Sequence, residues 1–284
     1  MLLSLAGVWR IIRRNPSALV GLAILLFFVL MAIVGPQLVQ YDTTENPLLA
    51  YQAPSMAHWF GTDYVGRDVG AQLVAGSTPV LLVAVLVSII STGVAIVVGM
   101  IAGFARGAVD TWLMRVIDVF LTIPGFPLLV VLTGFLRVSD PLPTALVLSV
   151  TNWAGLARSI RAQMLSLVER DFVEAARISG LTRVHIIFRE LLPNIAPYLA
   201  MNFVLGFNAA IYAEVGLFFL GVLPFTAVNW GLMLNFAVYQ AGALYSTAGM
   251  WYLIAPMGCI VLLQVGSVLF LRALEEVFNP RLRG

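Results

Sequence analysis

Residues 70–105 read GAQLVAGSTPVLLVAVLVSIISTGVAIVVGMIAGFA, without a single charge. Crossing a bilayer core takes ~20 apolar residues in a helix, because lipid satisfies no backbone hydrogen bond. This window exceeds that length, and others accompany it. Residues 18–40, 119–136, 141–157 and 191–213 are uncharged, the last continuing past the isolated Glu214, and a further window runs from 249 to 271. With 61% hydrophobic residues, 11% charged and a mean hydropathy of +0.97, the 284-residue chain cannot be a water-soluble domain. The expected fold is an all-α integral membrane protein with six transmembrane helices.

The charges orient it. All sixteen basic residues are arginines. Arg10, Arg13 and Arg14 precede the first span, and Arg106 and Arg115 flank the loop between the second and third. Arg158, Arg161, Arg170, Arg177, Arg183 and Arg189 follow the fourth, and Arg272, Arg281 and Arg283 follow the sixth. With alternating loops all of these share one side, leaving Arg67 and Arg137 on the other. The positive-inside rule then places both termini and the 158–190 loop in the cytoplasm of a cell-membrane protein. The first apolar run is too long for a signal-peptide core and lacks a small-x-small cleavage site, so it reads as an uncleaved signal anchor.

Several chemistries are excluded. Without lysine the chain cannot be a conventional P-loop ATPase, whose lysine holds the β- and γ-phosphates, nor can it form Schiff bases. The single cysteine, Cys259, makes no intrachain disulfide and reads as a small core residue. His58 and His185 lack the helical spacing of zinc ligands. The spans carry no paired catalytic acids and no GxSxG element, so an enzyme is not expected.

Four regions follow. Residues 1–17 should hold a cytoplasmic interfacial helix over 2–13, in which "WRIIRR" lies apolar side down on the membrane. Residues 18–40 form the first span, and 41–78 an extracytoplasmic loop with Gly61, Gly66, Gly70 and Gly76 marking turns. Residues 79–284 make a five-helix core that includes a charged loop at 158–193. Pro124 and Pro127 should kink the third span. Residues 223–246 should be external, with a short interfacial helix near Trp230 to Tyr239. No solenoid-period repeat is present.

The charged loop is the odd passage. Between Arg158 and Glu190 lie ten of the thirty formal charges. Asp171 and Glu174 suit the start of a helix, and Phe172, Ala175, Ala176 and Ser179 follow. Gly180 breaks the run, and Thr182 can cap a second one reaching about Leu192. The expectation is two short helices joined at a glycine bend. Phe172, Val173, Ile178 and Leu181 are too apolar for a solvated linker and must pack, on this chain or on a partner.

These residues carry a resemblance. Glu174, Ala175, Ala176, Gly180, Leu192 and Pro193 resemble the EAA signature of ABC importer permeases, departing at Glu190, where the general pattern has isoleucine. "RRNPSALVGLAILLFFVLMAIVGP", "HWFGTDYVGRDV", "AEVGLFFLGV" then "NWGLML", and "FNPRLRG" resemble, in order, elements of the C-type permease of the dipeptide, oligopeptide and nickel branch. Gly216 and Phe218 depart from that branch, which has small polar residues there. The resemblance implies a non-catalytic transport subunit with no cofactor of its own. Implied partners are a homologous second permease, two cytoplasmic ATP-binding subunits that bind ATP and Mg, an extracytoplasmic substrate-binding protein and the lipid bilayer, with no nucleic acid. It implies that Asp171, Phe172, Val173, Glu174, Ala175, Ala176, Arg177, Gly180 and Leu181 form the coupling helix seated on an ATPase. Peptides are the implied cargo, with oligosaccharides or nickel as alternatives.

Other residues stay open between two readings. Gly61, Thr62, Asp63, Gly66, Arg67 and Asp68 either dock the binding protein or hold their own loop, and the Asp63–Arg67 spacing suits an internal pair. Asp118 lies close behind Arg115, and Glu214 shares a face with Asn208. With Gln264, they either line the pathway or tie helices together. A self-sufficient secondary transporter would need Asp118 and Glu214 for ion coupling and would leave the charged loop unexplained.

Overall fold

The computed structural model describes residues 13, 15–136, 140–224 and 228–278. The interfacial helix expected over 2–13, apart from residue 13, and the arginines at 10, 14, 137, 281 and 283 lie outside the described residues. Among the described residues the fold is all-helical, with an isolated bridge between Thr62 and Asp68.

Helix α1 (Pro16–Ile33) starts where Asn15 accepts a hydrogen bond from the Ala18 N–H at 3.2 Å and Pro16 presets the first turn. It ends at Ile33, earlier than the expected residue 40, and a single turn, α2 (Gly35–Leu38), follows. Helix α3 (Val69–Ala105) then runs unbroken for 37 residues, about 55 Å at 1.5 Å per residue. That exceeds the ~30 Å bilayer core. It begins before the expected position 79, because the Asp68 carboxylate caps it by accepting from the Ala71 N–H at 2.7 Å. Gly70 and Gly76, read as turn markers, lie inside it, and Gly76 packs on the Trp230 ring.

The chain reverses at Arg106 into α4 (Gly107–Thr122) and α5 (Gly125–Leu136), which meet at 86°. The expected kink falls there. Ile123, forced extended by the following Pro124, breaks the helix. Helices α6 (Pro141–Asn152) and α7 (Ala154–Leu167) join at Trp153. Residues 158–167, expected in the loop, thus continue a helix. A short helix, α8 (Asp171–Ile178), precedes the long α9 (Arg183–Phe219), whose residues Ile186–Leu191 form a π turn ahead of Pro193. The expected short helix is α10 (Trp230–Tyr239), and α11 (Met250–Phe278) is the last.

By length and composition α1, α3, α9 and α11 can each cross a bilayer, and α4 with α5 makes a fifth crossing when the bent pair counts as one. The window at 141–157 forms α6 and the start of α7, each too short to cross alone.

Lipid gives helices no hydrophobic reason to associate, so close packing must hold them. Gly99 and Gly103, one turn apart on α3, bring its backbone against α7. A Cβ on Gly99 would lie 2.6 Å from the Ala157 carbonyl, and one on Gly103 2.5 Å from the Met164 Cβ. The buried side chains form two main clusters. One gathers Phe28, Trp230 and Tyr252 around the first half of α3, and the other joins Ile160, Met164, Val173, Ile186 and Leu191.

Candidate functional site

Helix α8 is divided between two environments. Val173 is fully buried and Ala176 nearly so, in one cluster with Ile160 and Met164 of α7 and Ile186 and Leu191 of α9. Asp171, Glu174, Ala175 and Arg177 are exposed, Phe172 and Leu181 partly so, and Ile178 is 79% exposed. Glu174 and Arg177 face each other at 3.6 Å. The helix ends in a Schellman arrangement: the Leu181 N–H donates to the Ala176 carbonyl and the Gly180 N–H to that of Arg177. Gly180 adopts φ +74°, which a side chain disfavours. Thr182 then caps α9, accepting from the His185 N–H at 3.3 Å.

Next to α8, two ion pairs clamp α7 to α4. Arg161 grips Asp110 through two nitrogens, Nη2 to Oδ2 at 2.6 Å. Asp118 pairs with Arg158 rather than with Arg115, whose guanidinium lies 5.3 Å from the Trp112 ring centre.

Glu214 is buried in α9. Its Oε1 accepts from Asn229 Nδ2 at 2.7 Å, while Oε2 has no partner. Asn229 also caps α10 through the Gly231 N–H at 2.8 Å, and the Trp230 indole N–H donates to the Leu73 carbonyl at 2.9 Å. The acid therefore staples α10 to α9, beside α3. No hydrogen bond joins it to Asn208 or Gln264, whose Oδ1 and Nε2 are buried without partners. The partner, Asn229, was not singled out from sequence, although it begins the quoted "NWGLML".

The 41–68 loop is held by its own residues. Asp63 is fully buried and accepts from the Val65 and Arg67 N–H groups, from Arg67 Nε at 2.9 Å and from Gln72 Nε2 at 2.9 Å. Burial works against the Arg67 charge, but Asp63 outweighs it, so the guanidinium stays above its ordinary value. The Thr62 hydroxyl donates to the Leu49 carbonyl and accepts from the Gln52 N–H at 2.8 Å. Gly61 and Gly66 pass close to the carbonyls of Gln52 and Asn46 at positive φ. Asp68 caps α3 and meets His58 Nδ1 at 2.6 Å. Arg67, Gln72, Asn229 and Tyr252 line a cavity of about 190 Å³.

A cavity of about 220 Å³ lies between α3, the α6–α7 joint and α9. Ser88, Ser91 and Thr92 line it from α3, Asn152 from α6, and Asn202 and Gly206 from α9. Sequence reasoning missed these residues, because each is an uncharged residue inside an apolar window.

By architecture, this is an all-helical, multi-pass membrane protein: helices long and apolar enough to cross a bilayer pack through glycines beside a cavity lined by polar and apolar side chains, with a short helix at one end of the bundle. Comparisons with known proteins narrow the class. Residues 95–284 match the model of the binding-protein-dependent transport system inner membrane component, and residues 5–54 that of the N-terminal transmembrane domain of oligopeptide transport permease C. The chain is 34% identical over 281 residues to the dipeptide transport system permease protein DppC of Bacillus subtilis, covering 97% of this chain and 85% of that one. It is 35% identical over 276 residues to the oligopeptide transport system permease protein OppC of Mycobacterium tuberculosis, covering 95% and 92%. In fold it resembles a chain of the inward-facing MetNI methionine ABC transporter, with a TM-score of 0.55 at 20% identity over 72% of this chain and 96% of that one. The chain belongs to the inner-membrane permease family of binding-protein-dependent ABC transporters, whose members are transport components rather than enzymes.

Proposed function

We propose that the chain is one permease half of an ATP-driven, binding-protein-dependent importer of dipeptides or oligopeptides, and that α8 is where force enters it. A second, homologous permease, two cytoplasmic subunits that bind ATP and Mg, and an extracytoplasmic binding protein complete the machine. The division of α8 carries this reading. Val173 and Ala176 key the helix into the bundle, while Ile178 and the Glu174–Arg177 pair face outward, open to a partner. When the ATPases close, a helix keyed this way drags α7 and α9, and the spans rock between inward and outward access. The arginine distribution supports placing α8 in the cytoplasm, with both termini. Helices α6 and α7 together, Pro141 to Leu167, supply the sixth crossing.

The names of the relatives support a peptide cargo. Ion coupling fits less well. Asp118 is paired with Arg158, and Glu214 holds Asn229.

The test is purification of the tagged chain from native membranes in mild detergent, with co-purifying chains identified by mass. A second permease and P-loop ATPases should be recovered, and Glu174→Arg with Gly180→Pro should release the ATPases while the chain stays folded. Recovery of the chain alone, still transporting in liposomes without ATP, would overturn the proposal.

A further inference from the structure

We propose that the cavity between α3, the α6–α7 joint and α9 holds the cargo's uncharged, hydrogen-bonding backbone in transit; the identity of that cargo rests on the importer reading above.

The position is the first argument. Ser88 lies 19 residues into α3, about 29 Å from its start, and Ala105 ends the helix a similar distance beyond. Asn202 and Gly206 sit midway along the α9 stretch Leu192–Phe219. Ser88, Ser91, Thr92, Asn152 and Asn202 thus place polar groups, among the apolar Val87, Leu156, Leu205 and Ala209, at a depth where lipid offers them nothing.

The chemistry is the second. No charged group lines the cavity. Asn152 and Asn202 each spend one Nδ2–H on the Leu148 and Tyr198 carbonyls, at 3.1 and 2.9 Å, which leaves the Oδ1 acceptor and one N–H of each side chain. Ser88 donates to the Ala84 carbonyl at 2.9 Å. Ser91, only 5% exposed, has a hydroxyl with no partner at all. A free hydroxyl donor beside carboxamide acceptors complements a peptide unit, whose C=O accepts and whose N–H donates. A buried hydroxyl left unpaired is costly, which argues for a ligand or water there. At about 220 Å³ the space equals the share of roughly seven waters at ~30 Å³ each. A site reading only amide units ignores side chains, as a carrier of varied peptides requires. Saccharide hydroxyls offer similar donors and acceptors, and the test separates the two.

The cavity also connects to the drive. Helices α7 and α9 contribute to its lining through Leu156 and Asn202, and the same helices hold α8 through Met164 and Ile186.

The experiment uses the complete complex in native membrane vesicles, with Cys259→Ala as background and Thr92→Cys, at a more accessible position of the same lining, as reporter. A water-soluble methanethiosulfonate should label the introduced thiol. Trialanine and N-acetyl-trialanine amide should slow labelling equally, by about tenfold, while a trialanine analogue with ester linkages should not. Maltotriose is the saccharide arm. In parallel, Gly206→Leu should block trialanine uptake with the complex still assembled, because a Cβ there meets only Ser88 Oγ, at 3.8 Å, and the rest of the side chain fills the cavity. Gly93→Leu, on α3 in open space, is the control. Absence of protection while trialanine uptake proceeds would overturn the site and leave the importer standing. Protection by maltotriose alone would overturn the peptide backbone as its ligand. Protection by trialanine in a wild-type complex with no ATP-dependent uptake would support the site and overturn the importer.

Discussion

Ile178→Ala should weaken docking of the ATP-binding subunits while leaving the permease as stable as before. Ile178 is 79% exposed, so its side chain does little for this chain's own fold. Fully burying an isoleucine contributes about 1.5–3 kcal/mol, and alanine keeps the Cβ. Covering the exposed part on a partner surface should then be worth about 1–2 kcal/mol, a loss of roughly 5- to 30-fold in affinity. Val173→Ala is the opposite case. Val173 is fully buried against α7 and α9, and its truncation should remove about 2 kcal/mol of stability through lost burial and a residual cavity. The assay titrates purified ATP-binding subunits onto the permease pair in nanodiscs, alongside thermal melting of the permeases alone. The reasoning fails if Ile178→Ala leaves affinity within about twofold of wild type, or if it lowers the melting temperature as much as Val173→Ala does.

Gly180→Ala should cost about 1 kcal/mol or more in thermal melting, because φ is +74° there, and Gly180→Asn should cost less. No atom lies near a Cβ at Gly180, so the whole effect is backbone strain. Gly103→Leu should abolish the yield of monodisperse protein, since its Cβ would meet Met164 and the Arg161 carbonyl, whereas Gly134→Leu, in open space, should express normally. Asp63→Asn breaks a buried pair with Arg67 and should cost about 3 kcal/mol, read as an over hundredfold rise in proteolysis of the 41–68 loop.

How much of this could be read from sequence depends on the range of the forces involved. The long apolar runs in α1, α3 and α11 were legible because each is a local, uncharged run. So were the break before Pro124 and the bend at Gly180, which follow from the backbone limits of proline and glycine. The start of α3 was misplaced because Gly70 and Gly76 look like turn residues. Gly76 is there so that Trp230, far along the chain, can approach. The ion partner of Asp118 could not be read locally: the nearby Arg115 lies over Trp112, and Arg158, forty positions on, makes the pair. That Asp171 to Ile178 form one short helix was legible. Which of them face the bundle was not, since that depends on α7 and α9 packing behind Val173. The cavity was least visible, because its hydroxyls and carboxamides come from three separate apolar windows and converge only in the fold.

The most direct test of the account is uptake of radiolabelled trialanine into proteoliposomes holding the whole complex, with ATP supplied at the face of the ATPases. The account expects uptake that requires ATP and is lost with Ile178→Glu, although the mutant permease pair still melts like wild type. Equal uptake by the permease alone, without ATP and driven by a proton gradient, would contradict it.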